Sequence, residues 1–143
     1  MSIEDNKVTA RRFYDEVLNE GSTAVLEDLA VDDYLEHDPL PGQTTNRQGL
    51  DQRVTMLRTA LAPHFTLEDI VAEDDRVAVR WTQSGTHVAD FLGIPATGRR
   101  FTIAGIDIYR LQDGKLAEHW HVVDQLSLLG QLGVLPAMEP APS

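Results

Sequence analysis

The sequence predicts an α+β fold in which three N-terminal helices pack against a curved antiparallel sheet. Apolar residues recur at three- and four-residue steps up to Ala62, and from Phe65 onward they alternate with polar ones. Two turn signals, "EDDR" and "QDG", divide the alternating half into hairpins. Helices first and strands afterwards is the pattern of a layered α+β domain. A curved sheet with helices on one face encloses a cone, a natural place for an apolar pocket.

Each element follows from local pattern. Ala10, Phe13, Tyr14, Val17 and Leu18 form one helical stripe, and Gly21 ends it because glycine adopts the left-handed conformation cheaply. Ser22 is placed to cap a short second helix that buries Val25, Leu26 and Leu29. "EHDPLPGQTTN", with two prolines and a glycine, reads as a loop. Leu50, Val54, Leu57 and Leu61 mark a third helix from Arg47 to Ala62, stopped by Pro63. Val77, Val79 and Trp81 then alternate with Arg76, Ala78, Arg80 and Thr82 in the first hairpin. After the loop "VADFLGIPATGR", the run "FTIAGIDIYRLQDGKLAEHWHVV" forms a second hairpin about Asp113 and Gly114. "DQLSLLGQLGVLP" reads as a closing helix or turn. A single domain over residues 1–135 and a disordered tail at 136–143 are expected.

A chain of 143 residues suits one domain with a real core. Its apolar share of 42% and charged share of 24% are those of a globular protein. The formal net charge of -11 argues against nucleic acid or an anionic membrane as partner, since both are bound chiefly through Lys and Arg. "MSIEDNK" has no basic segment leading into an apolar run, and no apolar stretch is long enough to span a bilayer, so a cytoplasmic protein is expected. The absence of cysteine removes disulfides, thiolate catalysis and cysteine zinc sites. No phosphate-binding glycine loop, serine elbow or dinucleotide fingerprint occurs.

The polar residues of "EHWHVVDQ" carry the functional question. Along a strand His119 and His121 share one face, while Glu118, Trp120 and Val122 take the other. A three-residue loop of Gln112, Asp113 and Gly114 would set Asp107 opposite His119; a two-residue loop would set it opposite Trp120, on the other face. The first is preferred, because x-Asp-Gly suits the bulge of the longer loop. A buried Asp facing His is useful chemistry, since imidazole titrates near pH ~6.5 and works as a base at neutral pH. Hydrogen-bonded lining is the plainer alternative. A metal site from His119, His121 and either His37 or Asp107 lacks a second ligand motif. His37, in "YLEHDP", sits where a strand or short helix gives way to a loop, at a pocket rim or in solvent. His64, His87 and the arginines of "GRR" are more simply turn, surface and strand-start residues.

The combination of "GTH", "FLGIPATGR", "GIDIYR", "DGKLAEHW" and "QLG", together with "YLEHDP", resembles the SnoaL-like polyketide cyclase family of the nuclear-transport-factor-2-like superfamily. The resemblance spans nearly the whole chain apart from the tail. It implies a cone-shaped α+β barrel that associates as a homodimer or homotetramer through the outer side of its sheet. It also implies intramolecular aldol ring closure without metal or organic cofactor. In those cyclases an aspartate directly after the tryptophan of "EHW" removes the proton; this chain has His121 there and retains His119 before it.

The leading expectation is a cofactor-independent acid/base enzyme on a hydrophobic carbonyl compound, a cyclase or isomerase. His121 is the candidate base, Asp107 its orienting partner or an alternative base, and His119 a donor to the developing oxyanion. Tyr34, His37 and Trp81 are expected to shape the pocket. Asp124 is either the operative carboxylate or, preferably, the cap of the closing helix. A binding protein that leaves its apolar ligand unchanged is the second reading. Epoxide opening by water ranks lowest, since it needs a carboxylate base with a second charged group and only Asp107 and Arg80 are available.

Overall fold

The structure, a computed structural model, describes residues 2–135, so the tail expected at 136–143 lies outside the described residues. Helix α1 (Ile3–Arg12) starts at a capping box in which Ser2 and Asp5 satisfy each other's backbone N–H groups. It runs on into a wider π-helical turn, Phe13–Asn19, that buries Phe13, Tyr14, Val17 and Leu18. Gly21, at φ 79°, ends it. The short α2 (Leu26–Leu29) follows a 3-10 turn at Thr23–Val25; the Ser22 side chain makes no capping bond, because the tighter turn sits between it and the helix.

Helix α3 (Arg47–Leu61) is capped by Asn46, whose side chain accepts from the Gly49 N–H. Gly49 cannot be larger: a Cβ there would lie 1.8 Å from the Thr44 carbonyl oxygen. Strands β1 (Ala30–Glu36), β2 (His64–Glu73), β3 (Arg76–Thr86), β4 (Arg100–Gln112) and β5 (Lys115–Val123) form one sheet in the order β1-β5-β4-β3-β2. Its pairs are antiparallel except at one edge, where β1 runs parallel to β5 and Glu36 pairs with His119. That edge departs from the all-antiparallel expectation. Helix α3 supplies the crossover between β1 and the antiparallel strands.

The β4–β5 register also differs from the sequence reading. The turn has two residues, Asp113 and Gly114, both at positive φ (52° and 77°), with Gln112 opposite Lys115. Such a turn matches the twist of the flanking strands. A bulge then leaves Ala117 extra, since Leu111 pairs with Leu116 but Arg110 with Glu118. The bulge restores the inward phase that the short turn alone would have lost. Asp107 therefore lies opposite His121, not His119, yet all three share the inner face.

Helix α4 (Gln125–Gln131) closes the described chain, with Asp124 as N-cap accepting from the Ser127 N–H at 3.1 Å. Helices and the inner sheet face share one core that includes Tyr14, Leu50, Val54, Val77, Trp81 and Tyr109. On the outer face Val71, Ile106, Ile108 and Val122 are exposed. No helix among the described residues is long and apolar enough to cross a membrane.

Candidate active site

Alternation along β4 turns Asp107 inward between Gly105 and Tyr109. Gly105 is a steric requirement, because a Cβ would stand 2.3 Å from the Trp81 ring. The indole lies in that space and donates Nε1–H to Asp107 Oδ2 at 2.8 Å. Tyr14 donates its hydroxyl to the same oxygen, and Tyr109 approaches it at 3.4 Å. The other oxygen, Oδ1, faces His119 Nε2 at 2.9 Å.

His119 is held from its second side as well. Its Nδ1 lies 2.7 and 2.8 Å from the two oxygens of Glu36, which the parallel pairing of β1 brings alongside β5. An imidazole whose two nitrogens both face carboxylates donates from both and carries a positive charge. Burial pushes the His119 pKa down, but the Asp107 charge and the bonds to Asp107 and Glu36 outweigh it and raise the pKa. Burial likewise pushes Asp107 up, and is overcome by the His119 charge and bond, by Arg53 and by Tyr14; the carboxyl is held well below the usual range. Glu36 is lowered on the same pattern, against burial, by His119, Arg53 and the Asp38 N–H. Burial is the main reason that the Tyr14 and Tyr109 hydroxyls are raised and stay protonated as donors.

Arg53, from α3, completes the cluster. Only 7% exposed, it places Nη1 3.5 Å from His119 Nδ1. That nitrogen already donates to Glu36, so the contact juxtaposes two cations and is not a hydrogen bond. Burial disfavours the guanidinium charge, but the nearby Asp107, Tyr109 and Glu36 more than restore it. The interior thus balances two carboxylates against His119 and Arg53.

His121 stands beside this set without joining it. Its side chain is 10% exposed, and Nδ1 is 3.7 Å from Asp107 Oδ1, too far for a hydrogen bond. Nδ1 is buried without a partner. Burial, then the Arg53 and His119 charges, depress its pKa to about 4, so the ring is neutral at pH 7. The carboxylate facing Nδ1 favours the Nδ1–H tautomer and leaves the lone pair on Nε2.

The structure brings together four of the residues expected at the site and orients two others differently. Asp107, His119, His121 and Trp81 meet as described. Tyr34 is buried and donates to Glu36 at 3.3 Å, supporting the cluster from behind. His37 is not there: it stacks on Trp120 (4.6 Å, 3°) and contacts Glu118 on the opposite face of β5. The His-Asp step in "EHDP" turns the chain outward after Glu36, and Asp38 instead accepts from the His121 backbone N–H at 2.9 Å. Asp124 is a helix cap, and Arg80 pairs with Asp69 in solvent. Both His119 N–H groups are committed, so the donor role expected of it has no free hydrogen. Asp107, engaged by Tyr14, Trp81 and His119, has no free basicity for the alternative-base role.

Glu36, Arg53, Tyr14 and Tyr109 were missed from sequence. Arg53 was detectable as a charge three residues after Leu50 on an apolar helix face, and Glu36 as the inward partner of Tyr34 once a strand was drawn there. Asp107, His119 and His121 offer ligand atoms within 4.8 Å of one another. They fit a metal poorly, since His119 uses both nitrogens on carboxylates and Arg53 adds a positive charge alongside.

A helix-filled α+β cone with a buried cluster of titratable groups on the inner face of its sheet is the architecture of the nuclear-transport-factor-2-like class. Comparison with known proteins narrows this. The family description "SnoaL-like polyketide cyclase" matches residues 8–132, and the chain belongs to that family. It is 33% identical to the aklanonic acid methyl ester cyclase DauD of Streptomyces sp. (strain C5) over 82% of this chain and 76% of that protein. It is 30% identical to the nogalonic acid methyl ester cyclase of Streptomyces nogalater over 80% of this chain and 88% of that one. Among solved structures, TsrD from Streptomyces laurentii superposes with a TM-score of 0.85 at 32% identity, covering 94% of this chain and 99% of that one. The protein is polyketide cyclase-like in sequence and fold.

Proposed function

We propose that this protein closes a ring in a hydrophobic polyketide-type carbonyl compound by intramolecular aldol addition, with His121 as the base. The observation that carries this is a neutral, partnerless imidazole standing beside two buried cations. His121 Nε2 takes a proton from carbon flanked by carbonyls, and the C–H electron pair moves onto a carbonyl oxygen as an enolate. The enolate carbon attacks a second carbonyl carbon of the same molecule, and the alkoxide so formed takes the proton back from the imidazolium. No atom is gained or lost, so the residues present suffice for the balance.

A conjugate acid of pKa about 4 makes His121 a weak base. The Arg53 and His119 charges that depress it also stabilise the enolate, so the field that disfavours imidazolium lowers the acidity barrier of the substrate. Asp107 orients His119 and offsets its charge. The relatives are named as cyclases of aklanonic and nogalonic acid methyl esters, and an apolar polyketide-type carbonyl compound is the substrate class proposed.

Exposed Val71, Ile106, Ile108 and Val122 on one sheet face support association of two copies through it, as a dimer or as half of a tetramer. Val122→Lys should then shift the mass measured by light scattering toward the monomer.

The test of activity is deuterium exchange at the acidic carbon of aryl β-dicarbonyl compounds, in wild type and His121→Ala. Exchange lost in the variant supports the reading. Binding without accelerated exchange in wild type would favour a ligand carrier, the reading that the histidine in place of the family aspartate supports. Epoxide opening lacks a free carboxylate base, since Asp107 and Glu36 are both tied to His119.

A further inference from the structure

Among the described residues the cone holds one charged group with a buried, unmet hydrogen-bond donor. Arg53 presents a planar guanidinium with five N–H donors. It is 7% exposed, and its Nε is buried without a partner among the described residues. The carboxylates nearest it in charge terms are turned elsewhere: Glu36 spends both oxygens on His119, and Asp107 is shared among His119, Trp81 and Tyr14. Its one close polar contact among the described residues, His119 Nδ1, is itself a donor. A buried cation without an acceptor is expensive unless a ligand supplies one. The neighbouring inner-face imidazole, His121, likewise keeps a buried Nδ1 without a partner.

We propose that Arg53 is the anion seat of the cone, so that the protein recognises an apolar ligand through a planar oxyanion, either a carboxylate or the enolate of a 1,3-dicarbonyl. The inference rests on the functional reading above and sharpens it: a neutral ester binds through its apolar body alone, whereas the oxyanion gains the guanidinium. The fork of a guanidinium matches two coplanar oxygens, which both a carboxylate and a chelating enolate present. Turnover is not needed for this recognition, so binding preference can be measured where exchange is abolished.

The experiment uses the full chain and three probes: 2-naphthoate, its methyl ester, and 1-(2-naphthyl)butane-1,3-dione. Calorimetry gives the affinities of the first two, and near-ultraviolet absorbance gives the apparent pKa of the bound diketone. Wild type should prefer naphthoate over the ester by about ten- to hundredfold, the range of a hydrogen bond to a charged group. Arg53→Met should lose that preference with the ester affinity retained, and Arg53→Lys should keep part of it. His121→Ala should keep the preference while losing exchange. A depressed diketone pKa in wild type but not in Arg53→Met assigns the seat to the enolate; naphthoate preference without that depression assigns it to a carboxylate ligand. Equal affinity for acid and ester in wild type, or a preference that survives in Arg53→Met, overturns the inference. Should Arg53→Met fail to fold, wild type and Arg53→Lys still decide it, since equal acid and ester affinity in wild type is refutation enough. Exchange that depends on His121 without anion preference leaves the cyclase reading standing and this one refuted; anion preference without exchange does the reverse.

Discussion

Glu36→Gln isolates the electrostatic keystone of the cluster, because it removes a charge and keeps the shape. Both Glu36 oxygens lie 2.7–2.8 Å from His119 Nδ1, out of solvent. Opposite unit charges about 3 Å apart attract by roughly 5 kcal/mol at an effective dielectric constant near 20. The amide oxygen of glutamine still accepts one bond, so the loss sits at the low end of that for breaking a buried pair, about 3 kcal/mol. For a domain of ordinary stability this is a drop in melting temperature of about 10 °C. The pH dependence identifies the cause. The Glu36 pKa is lowered by folding, so its stabilisation is present above its ordinary value of 4.5 and disappears as pH falls through the folded value. The His119 pKa is raised, so its stabilisation is full below 6.5 and is lost as pH rises through the folded value. Urea unfolding followed by tryptophan fluorescence should therefore show the full difference at pH 6 and a narrowing one as pH falls toward 4. A difference below about 1 kcal/mol at pH 6, or one that does not change with acidification, would refute an electrostatic role for Glu36.

Three other perturbations test neighbouring links. Trp81→Phe deletes the indole N–H bonded to a buried carboxylate and should cost about 1.5–3 kcal/mol in urea unfolding. Gly105→Ala drives a methyl group to 2.3 Å from the Trp81 ring and should cost about 1–3 kcal/mol by overpacking, visible as a lowered melting temperature. With His121 as the proposed base, deuterium exchange should rise through pH ~4 and level off by about pH 6 in wild type. Removing the Arg53 cation in Arg53→Met should move that limb to higher pH, and NMR titration of the His121 ring should move with it; an unmoved limb would exclude Arg53 as a cause of the depressed pKa.

The legible parts of the sequence were those fixed by short-range pattern. Leu50, Val54 and Leu57 announce α3, and Val77, Val79 and Trp81 announce the inner face of β3, because burial on one side imposes a period that any reader can count. The shared face of His119 and His121 follows from the same rule. The placement of Asp107 opposite His121 in the strand register depended on a single residue, Ala117, whose bulge adds one to the register; no side-chain preference at Ala117 signals it. Strand β1 stayed undecided between a strand and a short helix, because Asp32 and Asp33 break the alternation and because its pairing partner lies some eighty residues away, at Leu116 to His119. Glu36 was hidden for that reason alone: without β1 it is a loop carboxylate, and with β1 it faces His119.

With His121 as the proposed base, at the position where the family resemblance implies an aspartate, the cone must receive its substrate in a different charge state. With an anionic base, proton abstraction moves one negative charge from base to enolate and leaves the interior total unchanged. With a neutral imidazole the step creates a pair, imidazolium and enolate, where none existed. Such a pair is costly in a buried site unless fixed charges already favour its negative member. Glu36 and Asp107 are matched by His119 and Arg53, but the Glu36 oxygens are spent on His119 and those of Asp107 on His119, Trp81 and Tyr14, while the Arg53 Nε–H is not taken up. The directed positive field therefore remains available to the enolate even though the net charge is zero. His121 and Arg53 are on this argument a coupled pair, and the double variant Arg53→Met with His121→Asp should recover more exchange activity than the effects of the two single variants predict together. Strict additivity in the logarithm of the rate would show that the two residues act independently.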